Sequence, residues 1–109
     1  DAGSELVGRV VVERGAVVER SRVVGPAIIG NGARIGDSYV GPFTSIGAGC
    51  VVEAAEIEYS IVLPGASIRG VGRIESSLIG HDVEVTPAPG TPRAHRLVLG
   101  DHSKVQVAS

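Results

Sequence analysis

His81, His95 and His102 have the most chemistry to offer in this chain of 109 residues. Three imidazoles can hold a tetrahedral zinc and leave one position for an activated water. One alone, His95, can serve as the general base of an acyl transfer from coenzyme A. Glu53, Glu56 and Glu58 cluster, followed by Glu75 and Asp82. Paired carboxylates suit acid–base work, although a charged outer face uses the same residues more often. Ser45, Ser60 and Ser77 lack the strand–turn–helix setting of an activated nucleophile. The glycines lack the Gly-Lys-Ser/Thr ending of a phosphate loop. Tyr39, Phe43 and Tyr59 are the only aromatic side chains. Exposed on a rigid support, they are interface candidates.

What would position these residues is a six-residue beat. From Ile29 the chain reads IGNGAR, IGDSY, VGPFTS, IGAGCV and VEAAE, and the beat recurs as VERGAV, VLPGAS, IGHDVE and LGDHSK. A branched aliphatic opens each unit and points inward. A small residue at the fifth place fits inside too: Ala16, Ala33, Thr44, Cys50, Ala66, Val83 and Ser103. Glycine beside these positions supplies corner conformations. Self-similarity at a fixed period outranks any local reading. Three units close one triangular coil, and coils stack as parallel strands. Ser21, Ser38 and Ala55 recur every seventeen residues, as do Ser60 and Ser77. Seventeen is two six-residue faces and one five-residue face. The five-residue step from Ala55 to Ser60 moves the pattern one face around the prism. The fold class is all-β, a single-stranded parallel β-helix of about five coils at ~4.8 Å each.

On such a frame His81 and His102 fall at corners, and no spacing brings them to one face with His95. Solvated or hydrogen-bonded histidines are the better reading, and no metal, catalytic or cofactor residue is assigned in this chain. Tyr39 and Phe43 fall off the inward register, which favours their interface role. Cys50 occupies a small inward position and reads as a buried, inert thiol.

Composition agrees. Aromatics are 3% against 43% hydrophobic residues, with neither Met nor Trp, as stacked ladders of branched aliphatics require. The net charge of −2 comes without a basic run, which speaks against nucleic-acid binding. No apolar run reaches the ~20 residues of a membrane span, and no secretory leader pattern opens the sequence. A cytoplasmic location is expected. Residues 1–5 read as a linker or cut end, and 6–85 as the β-helix. Residues 86–96, from the proline-rich TPAPGTP onward, read as an external loop, since proline cannot donate to a ladder. Residues 97–109 read as a returning rung or a cap over the open end.

The segments SRVVGPAIIGNGARI, DSYVGPFTSIG, EIEYSIVLPGASI, GVGRIESSLIGHDVEV and HRLVLGDHSKVQV are more specific than the beat. Through them, Leu6 to Val107 resembles the C-terminal β-helix of long-form glucose-1-phosphate thymidylyltransferases. The resemblance implies a left-handed prism. It also implies a preceding nucleotidyltransferase domain, which transfers a thymidylyl group from dTTP to glucose 1-phosphate and releases pyrophosphate. The product, dTDP-glucose, feeds deoxysugar synthesis. That catalytic half carries a glycine-rich signature with arginine and lysine, and acidic residues for magnesium. None of these motifs occurs here, so no catalytic position carries over. The expected role is a scaffold, with the catalytic domain and further copies of the chain as partners, a trimer foremost. The competing readings are a stand-alone acyltransferase with His95 as base and a zinc hydratase.

Overall fold

In every coil the chain turns three corners, and a backbone conformation that side chains resist marks most of them. The computed structural model describes residues 3–87, 97, 99–102, 104 and 105. Coil 1 contains β1 (Glu5–Val7), β2 (Val10–Val12) and β3 (Val17–Glu19). Coil 2 contains β4 (Arg22–Val24), β5 (Ala27–Ile29) and β6 (Arg34–Gly36). Coil 3 contains β7 (Tyr39–Val40), β8 (Thr44–Ile46) and β9 (Val51–Glu53). Coil 4 contains β10 (Glu56–Glu58), β11 (Ile61–Val62) and β12 (Ser67–Arg69). Coil 5 contains β13 (Arg73–Glu75), β14 (Leu78–Ile79) and β15 (Glu84–Val85). They form three parallel five-stranded sheets: face A (β1-β4-β7-β10-β13), face B (β2-β5-β8-β11-β14) and face C (β3-β6-β9-β12-β15). This is the five-coil parallel β-solenoid the beat predicts.

Branched aliphatics fill the interior in vertical columns. Val23, Val40 and Ile57 stack behind face A, Ile29, Ile46 and Val62 behind face B, and Ile35, Val52 and Ile68 behind face C, all almost fully buried. The small inward residues Ala33, Cys50, Ala66 and Val83 lie buried beside them. Their neighbours Gly32, Gly49 and Gly65 have positive φ (69°, 69° and 83°), which only glycine adopts without strain. The glycines after the opener serve a different purpose. A Cβ on Gly47 would come 2.6 Å from Pro64 N, so there it is space and not φ that demands glycine.

The predicted shift of the short face occurs. Glu56 faces Tyr39 across seventeen residues on face A. Ile61 faces Ser45 and Ser67 faces Val51 across sixteen on faces B and C. Up to coil 3 the five-residue step lies between faces C and A; above it, the step lies between A and B. A serine column marks each short corner. Ser21 N donates to Ser4 Oγ (3.2 Å), Ser38 N to Ser21 Oγ (3.1 Å), and Ala55 N to Ser38 Oγ (3.2 Å). Ser38 Oγ donates to Gly36 O at 2.7 Å. Above the shift, Ser77 N donates to Ser60 Oγ at 3.1 Å. Each hydroxyl accepts an amide from the next coil and donates to a nearby carbonyl, so the tight corner leaves no buried polar group unmet.

The ends differ from the expected boundaries. Ser4 heads the lower serine column and Glu5 already pairs with Arg22, so the prism begins inside the segment read as a linker. The regular hydrogen-bonded corner, once filled, recruits those residues. At the other end Leu78 forms an antiparallel bridge with Lys104, opposite in sense to every coil, so at that point the returning chain does not continue the winding. Thr86 and Pro87 are exposed; the remainder of the proposed loop, 88–96, lies outside the described residues.

Replacing Ser38 by Ala strands the Ala55 amide in a buried corner, while the Gly36 carbonyl keeps the Ala54 amide at 3.0 Å. We expect a loss of about 1–3 kcal/mol of stability, read as a lower urea midpoint at unchanged slope.

Candidate assembly surfaces

The outward side chains differ sharply between the three faces. Face A carries Glu5, Arg22, Tyr39, Glu56 and Arg73 in one vertical column. Arg22 pairs with Glu5 at 3.4 Å. Arg73 reaches Glu58 at 2.7 Å, Glu75 at 3.7 Å and Glu56 at 3.8 Å. The Glu58 contact comes first among the causes that raise the Arg73 pKa. On face C, Arg69 pairs with Glu53 at 3.1 Å. Glu53, Glu56, Glu58 and Glu75 are thus the anionic half of outer ion pairs, while Asp82 stands exposed at a turn with φ 58°.

Between faces C and A, Arg20 and Asp37 both adopt left-handed conformations (φ 48° and 49°). Their side chains form a two-pronged bond, Nε to Oδ1 at 2.8 Å and Nη2 to Oδ2 at 3.1 Å. That hydrogen bond holds the Asp37 carboxyl below the usual carboxylate range and raises the Arg20 guanidinium. A wide, shallow groove of about 730 Å³ follows this corner, lined by Arg20, Arg22, Asp37, Tyr39 and Glu56 among others. Several of its charges are already spent on one another.

Face B is apolar. Its outward column is Val11, Ile28, Ser45, Ile61 and Leu78. Val11, Ile28 and Ile61 are 47%, 45% and 51% exposed. At the A/B corner Phe43 and Tyr59 project outward, 61% and 51% exposed, with ring centroids 5.4 Å apart and planes at 27°. Both sit at positive φ (59° and 52°), an outlier conformation for bulky residues. Strain of this kind persists where the surroundings impose it and clusters at functional positions.

Of the three aromatics singled out from sequence, the fold brings Phe43 and Tyr59 together. Tyr39 is separate: it is half-buried on the charged face, its ring over Gly41, where a Cβ would lie 3.0 Å from Tyr39 Cε2. The aliphatic column of face B went unnoticed in the sequence. Its signal is there: the middle residues of VVV, AII and TSI fall in one line once the seventeen-residue period is laid out.

His81 and His102 are exposed at turns, and His95 lies outside the described residues. Among the described residues no group of three His, Cys, Asp or Glu side chains converges as a metal site. Cys50 is fully buried, its thiol donating to Leu63 O at 3.2 Å, and desolvation pushes its pKa up. Among the described residues no helix is long and apolar enough to cross a membrane.

These surfaces define a β-solenoid domain that offers flat faces and ladders and, within the described residues, no convergent reaction centre. No protein-family model matches the chain. Over all 109 residues it is 62% identical to a glucose-1-phosphate thymidylyltransferase of Streptomyces griseus, and 55% to one of Streptomyces antibioticus. It spans 31% of the length of each, matching their C-terminal part. A low-salt glycan biosynthesis nucleotidyltransferase of Haloferax volcanii is 38% identical over 71 residues, which is 64% of this chain and 20% of that protein. The chain corresponds to the C-terminal β-solenoid region of glucose-1-phosphate thymidylyltransferases, without the part that precedes it in them.

Two measurements check the electrostatics. The folded pKa of Asp37 lies below its unfolded value. The Arg20–Asp37 pair therefore adds stability above the ordinary carboxylate range near ~3.9 and loses it as pH falls through the lower folded value. In an NMR titration the Asp37 carboxyl should show a depressed midpoint, and Arg20→Ala should return it toward the ordinary value. Cys50 should resist a disulfide reagent at pH 8 in the folded protein and react promptly once urea unfolds it.

Proposed function

We propose that this prism is the assembly domain of a cytoplasmic glucose-1-phosphate thymidylyltransferase. The parent enzyme would join dTTP and glucose 1-phosphate, yielding dTDP-glucose and pyrophosphate. The observation that carries this reading is the 62% identity along the whole chain to the C-terminal part of such an enzyme. Nucleotide, sugar phosphate and magnesium would be held by the part that precedes the prism. None of the described residues is assigned to them.

In this reading the prism joins copies of the enzyme through face B. A domain this thin has much surface for its volume and gains from association. Face B offers exposed apolar area at Val11, Ile28 and Ile61, at about 25 cal/mol per Å² buried. Phe43 and Tyr59 have the character of anchors, being large, rigid and paired at its edge. Three copies around an axis parallel to the prism would turn this face inward. The A/B edge of one copy would then meet the B/C edge of the next at equal height. Arg9 and Glu13, exposed on those two edges of coil 1, would face each other with opposite charge.

Two experiments test this. The 109-residue chain alone should form no dTDP-glucose, and the full-length protein should form it in the presence of magnesium. Formation by the chain alone, or its absence with the full-length protein, removes the assignment. Sedimentation should give a trimer of the full-length protein. Ile28→Glu together with Ile61→Glu should dissociate it at least about tenfold more readily, a change of about 1.4 kcal/mol. A fully associated double variant would move the interface off face B.

A further inference from the structure

We propose that the lower end of the prism, below coil 1, is a docking surface for the polypeptide that precedes Asp1 in the full-length protein. This rests on the reading of the chain as the C-terminal part of a longer enzyme. The observation is an unfinished core. Leu6 stands in register with Val23, Val40 and Ile57, which are 0–1% exposed, yet Leu6 is 51% exposed. Val12 stands in register with Ile29, Ile46 and Val62, also 0–1% exposed, yet it is 40% exposed. Ala16 is only half-buried where Ala33, Cys50 and Ala66 are sealed. These are inward positions of the repeat, chosen for a dry interior, left facing outward along the axis.

The backbone is unfinished in the same place. β1, β2 and β3 are the terminal strands of their sheets. Glu5 N donates upward to Ser21 O, and Glu13 N to Ile29 O. Amides alternate in direction along a strand, so those of Leu6 and Val12 point down, away from coil 2. Three exposed strand edges around an apolar centre make a ready template for further pairing. Arg9, Glu13 and Arg14 stand exposed around it, giving the polar rim of a binding patch.

The occupant follows from where the chain lies. Gly3, the first described residue, sits beneath Arg20: a Cβ on it would lie 3.6 Å from Arg20 Cγ. The chain therefore enters the prism at its lower end. The relatives extend beyond this match, which takes up 31% of their length at the C-terminal side. The residues nearest to Leu6 and Val12 in the full-length protein are then those just before Asp1. The upper end is met differently. There the chain's own returning segment crosses, with Lys104 bridged to Leu78 and Gly100 packed near Gly80.

Hydrogen exchange on the full-length protein tests this. The amides of Leu6 and Val12 should exchange at least about a hundredfold slower than unprotected amides, as groups closed by a cooperative unit do. Leu6→Glu combined with Val12→Glu should release that protection while the amides of Val40 and Ile57 stay slow, which separates undocking from unfolding. Free exchange at Leu6 and Val12 in the unaltered full-length protein would overturn the proposal. So would a Leu6→Cys variant that forms disulfide-linked dimers in high yield, because a second copy would then be the cover. The readout is independent of dTDP-glucose formation. Protected amides in a protein without that activity would keep the docking surface and remove the enzyme assignment.

Discussion

Every coil must deliver its amides to the carbonyls of the next coil at the same height, and the whole prism depends on that match. A parallel ladder tolerates no drift, because a one-residue slip would turn each inward aliphatic to solvent. The serine columns show how strictly this is kept at the tightest corners. Ser21 and Ser38 are almost sealed, and their hydroxyls replace the ladder bonds that a five-residue side is too short to make. A hydroxyl can do this because it both donates and accepts. Ala55 ends that column as the short side moves on, and the motif restarts at Ser60. The prism thus absorbs the displaced short side without breaking a sheet.

The same constraint explains what the sequence reveals and what it hides. The inward positions are legible, because only branched aliphatics and small residues fill a narrow interior; Val23, Ile29, Ile35, Cys50 and Ala66 all lie where the beat places them. The five-residue step was legible for the same reason. The left-handed corners without glycine are not. Arg20, Asp37, Phe43, Ala54, Tyr59 and Ser76 adopt left-handed φ that their own preferences oppose. Winding imposes the conformation there, so no local residue signal announces it. The lower boundary was missed because DAGSE looks like a linker, although Ser4 stands seventeen residues before Ser21.

The outward faces were legible in part. Aromatic residues stand out in a chain with so few, so Phe43 and Tyr59 could be named beforehand. Nothing in the sequence said that they would meet, since sixteen residues separate them and only the stacking of coils 3 and 4 brings the rings to 5.4 Å. Val11, Ile28 and Ile61 were hidden among inward neighbours of the same type. In VVV or AII the middle residue differs from its flanks only in direction, which the strand pleat decides.

Outward and end surfaces then follow different physics. A face is a lattice of side chains at fixed spacing, already hydrogen-bonded through its backbone, so a partner gains from it mainly by covering apolar area. The lower end also presents unpaired backbone groups, and a partner there must satisfy them as well as cover Leu6 and Val12. Covering a face suits a second copy of the same rigid body, since repetition matches repetition. Completing an end suits a chain that can adapt its backbone to three strand edges at once. A single short prism therefore has room for two distinct attachments, one lateral between copies and one axial within the polypeptide, which adjoin at Arg9 and Glu13 of coil 1.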